Sequence, residues 1–255
     1  MLVVLMHQTL ERLRELRLTG MAEALAEQAA QPDVQQLSFE ERLGLLVDHE
    51  WLTRRNRRLA RLLKEAKLRL PACLEDIDYH TPRGLDRAIM HRLGTCQWVE
   101  AHQNVLITGP TGVGKTFIAC ALAQAACRRG YRARYFRMSR FLEEIALAKA
   151  DGSYPSWARR LAQTHVLVLD DWGLTPLTPR AAREVLDILD DRVQLQATIV
   201  ASQLPLEHWH QTIEDPTLAD AILDRLVHSA HRIVLKGESM RKVHGQKAVA
   251  PLEAT

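Results

Sequence analysis

Two sets of residues in this chain have the types and spacing to handle a polyphosphate. The first is Gly109-Pro110-Thr111-Gly112-Val113-Gly114-Lys115-Thr116, in which two glycines enclose four residues and are followed by lysine and threonine. Glycines in such a loop let backbone N–H groups curl around phosphate oxygens with no Cβ in the way. Lys115 has the reach and charge for the β- and γ-phosphates, and the Thr116 hydroxyl is a hard oxygen ligand for Mg²⁺. The second set is Asp170-Asp171, fifty-five residues beyond Lys115 at the end of the aliphatic run Val166-Leu167-Val168-Leu169. One acid of such a pair holds Mg²⁺ through water, and the next is placed to orient an attacking water.

These groups work only if the chain brings them to one place. Val105-Leu106-Ile107 reads as a buried strand leading into the glycine loop, and Phe117 to Arg129 reads as a helix closed by Gly130. Strand, loop and helix in that order set the phosphates on a helix N-terminus. Tyr131 to Phe136 alternates as a strand, Val166 to Leu169 is a second buried strand, and Thr198 to Ala201 and Ile233 to Leu235 are two more. Thr178-Pro179 reads as the cap and first position of another helix. The polar residues after the strand at Thr198, Ser202 and Gln203, fall where a side chain approaches a γ-phosphate in a parallel sheet.

The first seventy residues have a different character. Leucines recur at helical spacing over residues 6–30, with Gln31-Pro32-Asp33 as a break. Ser38 and Glu41 form a capping box, and the pattern predicts one long helix from there to Leu70, stopped by Pro71. Arg54, Arg55, Arg57, Arg58, Arg61, Lys64, Lys67 and Arg69 accompany a single acid, Glu65, in its second half. That charge fits either a solvated helix face or contact with DNA or an acidic partner. Arg128 to Arg140 holds six arginines and no acid, readable as a charge-guarded edge strand or as a rim facing DNA. Tyr79, in the connector, is the candidate to cover an adenine ring.

Composition narrows the class. A chain of 255 residues with 47% apolar and 25% charged residues is an ordinary globular one, and a net charge of +3 leaves any nucleic-acid affinity to local patches. The four cysteines show no Cys-x-x-Cys spacing, so neither a disulfide nor a zinc site is expected. The opening apolar residues are too few for a signal peptide, and a cytoplasmic protein is expected.

Taken jointly, GPTGVGKT, VLVLDDWG, ASQLP, LDRLVH and KGESMRK behind a helical N-terminal region resemble the IstB family, the ATP-dependent helpers of insertion-sequence transposons. That family is close to the DnaC-type helicase loaders within the AAA+ ATPases. The resemblance implies a P-loop AAA+ domain with a five-stranded parallel sheet in a three-layer α/β/α sandwich, preceded by a small all-helical domain. The implied boundaries are 1–70 for the helical domain, 71–103 for a connector, 104–245 for the ATPase domain and 246–255 for a tail. Gly109 to Thr116 would cradle ATP, Thr116 and Asp170 would serve Mg²⁺, and Asp171 would stand where most AAA+ proteins have glutamate. Gln203 would be the polar sensor, Arg225 the arginine finger acting on a neighbour's ATP, and Arg241 the nearest candidate for a second sensor. The implied partners are duplex DNA, an IstA-type transposase and further copies of the chain, with no membrane. A helicase loader is the nearest alternative. A P-loop phosphotransferase would need a lid with its own arginines and an acceptor pocket.

Overall fold

The computed structural model describes residues 2–240 and 242, and divides the chain into two compact units, Met1–Arg61 and Leu62–Thr255. In the first unit, α1 (Leu2–Glu15) and α2 (Thr19–Ala30) are two helices where the leucine spacing over residues 6–30 predicts one continuous pattern. The break is at Arg17, whose φ of 59° is left-handed. The Leu18 amide bonds the Leu13 carbonyl and the Arg17 amide that of Arg14, a Schellman ending made without glycine. No residue type advertises that stop.

The next helix, α3 (Phe39–Ala66), begins at the predicted capping box. Glu41 accepts from the Ser38 amide at 2.8 Å and Ser38 Oγ from the Glu41 amide at 3.2 Å. It ends four residues before the expected Leu70, because Lys67 takes a left-handed φ of 49°. That turn frees Arg69 and Leu70 from the helix.

In the second unit, the five strands are β1 (Asn104–Thr108), β2 (Ala133–Arg137), β3 (Val166–Trp172), β4 (Ala197–Ser202) and β5 (Ala230–Val234). They form one parallel sheet in the order β2-β3-β4-β1-β5. Parallel strands need crossover helices on both faces. Leu106, Leu167, Leu169 and Val200 point to one face, where they join Phe141 and Ile145 of α4 (Met138–Ala150) and Leu161 of α5 (Tyr154–Ala162). The same cluster takes in Val185 and Leu189 of α6 (Pro179–Asp190) and Ile222 and Leu226 of α7 (Pro216–Val227). The glycine-loop helix, Lys115–Arg128, packs over the sheet outside that cluster and buries Ile118 to Ala123 completely. The expected α/β/α sandwich is therefore present, with β2 at the edge, one of the two positions its arginines allowed.

Strand order decides the site. Because β4 lies between β1 and β3, the loop after β1, the acids at the end of β3 and Gln203 after β4 all leave the same edge of the sheet side by side. β5 begins three residues earlier than the apolar run Ile233 to Leu235 predicts, since Ala230, His231 and Arg232 pair with β1.

Candidate functional site

The glycine loop closes around open space because its neighbours leave no room for side chains. A Cβ on Gly114 would come within 2.5 Å of the Arg83 guanidinium, and one on Gly112 would strike Ser239. Both glycines also hold left-handed φ values, 101° and 84°. Beyond the loop, Ile118 is the first residue to bond back, to the Gly114 carbonyl. The preceding amides of the helix start are therefore free of helical partners and are donors for an anion.

A cavity of about 800 Å³ opens in front of this loop. Its wall includes Thr111, Gly112, Gly114, Lys115 and Thr116 of the loop, Asp171 after β3, Gln203 after β4, and Met240. Lys115 is only 8% exposed, and its Nζ donates to the Pro110 carbonyl at 2.7 Å. Burial pushes its ammonium below the ordinary value, while the charges of Asp170 and Asp171 pull it back up. A desolvated cation facing a cavity is a strong attractor for a polyanion.

Asp170 is almost wholly buried, and both of its oxygens accept hydrogen bonds. Thr116 Oγ1 and the Tyr135 hydroxyl each donate to Oδ2 at 2.7 Å, and the Asp171 amide donates to Oδ1 at 2.9 Å. Burial first, and the Asp170 carboxylate second, raise the Tyr135 hydroxyl so that it stays a donor at any physiological pH. Thr116 and Asp170, far apart in sequence, thus present a hydroxyl and a carboxylate side by side, hard oxygen donors suited to Mg²⁺.

Asp171 owes its position to an irregularity in the sheet. Leu169 stands opposite Val200 and Trp172 opposite Ser202, so β3 carries one extra residue there. Asp171 sits in that bulge with φ of 61°, a conformation aspartate tolerates better than most residues. Its carboxylate turns toward the cavity, 3.7 Å from Arg137 Nε and 4.0 Å from Arg69 Nη1. Arg69 also lies 3.9 Å from Asp170. Gln203 Oε1 accepts from Thr111 Oγ1 at 2.5 Å, tying the end of β4 to the glycine loop.

The structure gathers some predicted residues and separates others. Gly112, Gly114, Thr111, Lys115, Thr116, Asp171 and Gln203 line one cavity, with Asp170 bonded just behind it. Gly109, Pro110 and Val113 complete the loop; a Cβ on Gly109 would meet the Leu235 carbonyl. Tyr79 is half-buried with the Arg87 guanidinium 5.5 Å over its ring, and it does not line that cavity. Arg225 is remote. Its carbonyl accepts from Asn104 at the start of β1, whereas the loop follows the other end of that strand. Five strand residues span roughly 16 Å, beyond the reach of an arginine side chain. Arg225 instead donates to Asp190 Oδ1 at 2.6 Å, which holds its pKa above the ordinary value, and it lines a separate cavity of about 270 Å³. A pairing with Asp224 of its own helix, foreseeable from sequence, is longer, at 3.7 Å. Arg241 lies outside the described residues.

Sequence reasoning overlooked three arginines. Arg69 and Arg137 were hidden in long basic runs, and only the fold brings them to the acids. Arg83 is 4% exposed and donates to the carbonyls of Val113 and Asp78 at 2.9 and 2.8 Å. Burial lowers its pKa, with the charge of Asp78 opposing. It braces the glycine loop from behind. We expect Arg83→Ala to weaken ATP binding by about 10–100-fold, the worth of a charged hydrogen bond, in titrations of the folded protein. Affinity within a factor of two of the unsubstituted chain would contradict the bracing role.

The model of the family described as IstB-like ATP binding protein matches residues 11–248. The protein y4pL of Sinorhizobium fredii (strain NBRC 101917 / NGR234), named as an insertion sequence ATP-binding protein, is 48% identical over 245 residues, 96% of this chain and 100% of that protein. The protein similarly named for insertion sequence IS1162 of Pseudomonas fluorescens is 49% identical over 198 residues, 77% of this chain and 86% of that protein. Among solved structures, the DnaC helicase loader aligns with a TM-score of 0.57 at 19% identity, over 67% of this chain and all of that one. AMPPCP-bound DnaA from Aquifex aeolicus aligns with a TM-score of 0.56 at 20% identity, over 71% of this chain and 56% of that one. Those two show a shared fold. The family match spans both sets of phosphate-handling residues, and the chain belongs to the IstB-like ATP-binding protein family.

Proposed function

We propose that this chain is an ATPase that assembles on duplex DNA in its ATP-bound form and thereby activates a partner transposase. The observation that carries the ATP part is the Thr116–Asp170 hydrogen bond beside Lys115 at one cavity wall. Hydroxyl, carboxylate and desolvated ammonium are the three groups a nucleoside triphosphate with its metal requires. Thr116 and Asp170 would hold Mg²⁺, which when bound neutralises charge on the β- and γ-phosphate oxygens. In this reading Lys115 binds the phosphates, Asp171 orients the attacking water and Gln203 senses the γ-phosphate. Residues 1–70 act as an interaction domain, 71–103 as a connector and 104–245 as the ATPase domain.

The trans role of Arg225 is supported by its distance from the chain's own loop. An arginine at the far end of β1 can meet a γ-phosphate only if another subunit supplies that phosphate. ATP would then be shared between copies, and binding it would favour assembly by mass action. DNA and transposase as partners rest on the insertion-sequence relatives and on the exposed arginines flanking the edge strand, Arg129, Arg132 and Arg140.

A helicase loader is the second reading, favoured by the fold shared with the DnaC helicase loader. The test is binding with a non-hydrolysable ATP analogue to duplex and to single-stranded DNA of equal length. We expect duplex to be preferred, with affinity falling steeply as salt rises because phosphate contacts release counterions. Preference for single strands would favour the loader instead.

A further inference from the structure

Asp170 is a buried carboxylate whose hydrogen bonds come from neutral donors, the hydroxyls of Thr116 and Tyr135 and the Asp171 amide. A buried charge without a partner ion is costly, and Asp171 sets a second carboxylate beside it. Among the described residues, one cation bridges the two. Arg69 Nη1 is 3.9 Å from Asp170 Oδ2 and 4.0 Å from Asp171 Oδ2. Arg137 comes within 4 Å of Asp171 alone.

Both Arg69 separations lie beyond hydrogen-bond reach. The guanidinium therefore neutralises the acids by charge and keeps donors for a further acceptor. Its side chain is 32% exposed and lies in the wall of the phosphate cavity. Its backbone lies against the glycine-loop helix: burial pushes the Cys120 thiol up, and the amides of Leu70 and Arg69 pull it partway back. A long side chain on an anchored backbone can change partners without moving the fold. The place it fills, close to both acids, is also the place Mg²⁺ would need beside Thr116 and Asp170. Two cations there repel each other unless new negative charge arrives.

We propose that Arg69 is the counter-ion of the acid pair in the nucleotide-free chain. It bars a divalent ion from entering alone, and it passes to the phosphates when the nucleotide brings the metal in. The proposal rests on the reading of Thr116 and Asp170 as the metal site. Without nucleotide, Lys115, Arg69 and Arg137 already meet the two carboxylates, so a bare divalent ion would add surplus positive charge. A triphosphate supplies the negative charge that lets metal and guanidinium both stay, and the unspent donors of Arg69 suit its oxygens.

Mn²⁺, a probe for a Mg²⁺ site, tests this when titrated into the full chain without nucleotide, with the unbound ion read by electron paramagnetic resonance. The unsubstituted chain should bind it weakly. Arg69→Gln and Arg69→Ala, which remove the charge, should bind about tenfold more tightly or better, and Asp170→Asn added to either should cancel the gain. Arg69→Lys, which keeps the charge, should resemble the unsubstituted chain. Equal affinity in the unsubstituted chain and both neutral variants would overturn the proposal. So would an Arg69→Lys variant as open to Mn²⁺ as Arg69→Gln. Repeating the titration with a non-hydrolysable ATP analogue separates the two readings. If the unsubstituted chain then retains no Mn²⁺ beyond what the analogue holds in solution, the metal site itself is wrong and the proposal falls with it. If it does retain Mn²⁺ while the nucleotide-free affinities are equal, only the role of Arg69 is wrong.

Discussion

Arg225→Ala should bind ATP as well as the unsubstituted protein and hydrolyse it roughly 10³–10⁵-fold more slowly, the usual worth of an arginine finger. Two features of the structure lead to this split. The residue sits at the β1 end remote from the glycine loop, so deleting it removes nothing from its own chain's cavity. In the isolated chain its guanidinium is held by Asp190 and the Ala221 carbonyl, a part-exposed arrangement. Exposed pairs contribute only about 0–1 kcal/mol, whereas the catalytic effect corresponds to about 4–7 kcal/mol. Letting go of Asp190 is therefore a small cost beside the transition-state stabilisation the guanidinium supplies once copies meet. Nucleotide titration and turnover, measured on the same preparation, check the prediction. Parallel loss of both would mean that Arg225 supports the fold rather than the reaction.

Lys115→Ala should have the opposite profile, with ATP affinity reduced by about 100-fold or more, since two charged hydrogen bonds to phosphate are lost. Stability should change little. The lysine is desolvated and bonds the Pro110 carbonyl, so its removal also relieves the cost of burying an ammonium. Calorimetric titration with a non-hydrolysable analogue and a thermal melt separate the two effects. A melting temperature collapsed along with affinity would show that Lys115 holds the loop together. Mixed with Arg225→Ala, this variant should recover part of the lost turnover. An intact Arg225 on the Lys115→Ala subunit can face ATP bound to the Arg225→Ala subunit.

The sheet was legible because buried parallel strands are short aliphatic runs between helices of helical period, and the glycine loop fixed which run came first. Strand order was not legible from any one strand. It follows from how crossovers pack, and it is what brings Gln203 to Thr111. Helix ends were misread where lysine or arginine took the left-handed turn that glycine would announce, as at Lys67 and Arg17. The acids were readable as a pair with separate tasks, yet the backbone geometry that sets them apart was not. That depends on one extra residue in β3, which buries Asp170 and turns Asp171 outward. Arg69, Arg83 and Arg137 were invisible among many arginines, since charge without position says nothing about which guanidinium meets which carboxylate.

If ATP is gripped by one copy and cleaved with the help of another, turnover depends on encounters between copies. The most direct measurement is turnover per subunit across a wide range of protein concentrations, with and without duplex DNA. We expect a specific rate that climbs with concentration, and a climb that begins at lower concentration when DNA gathers the subunits. A rate per subunit that is constant down to the most dilute sample, and indifferent to DNA, would contradict it.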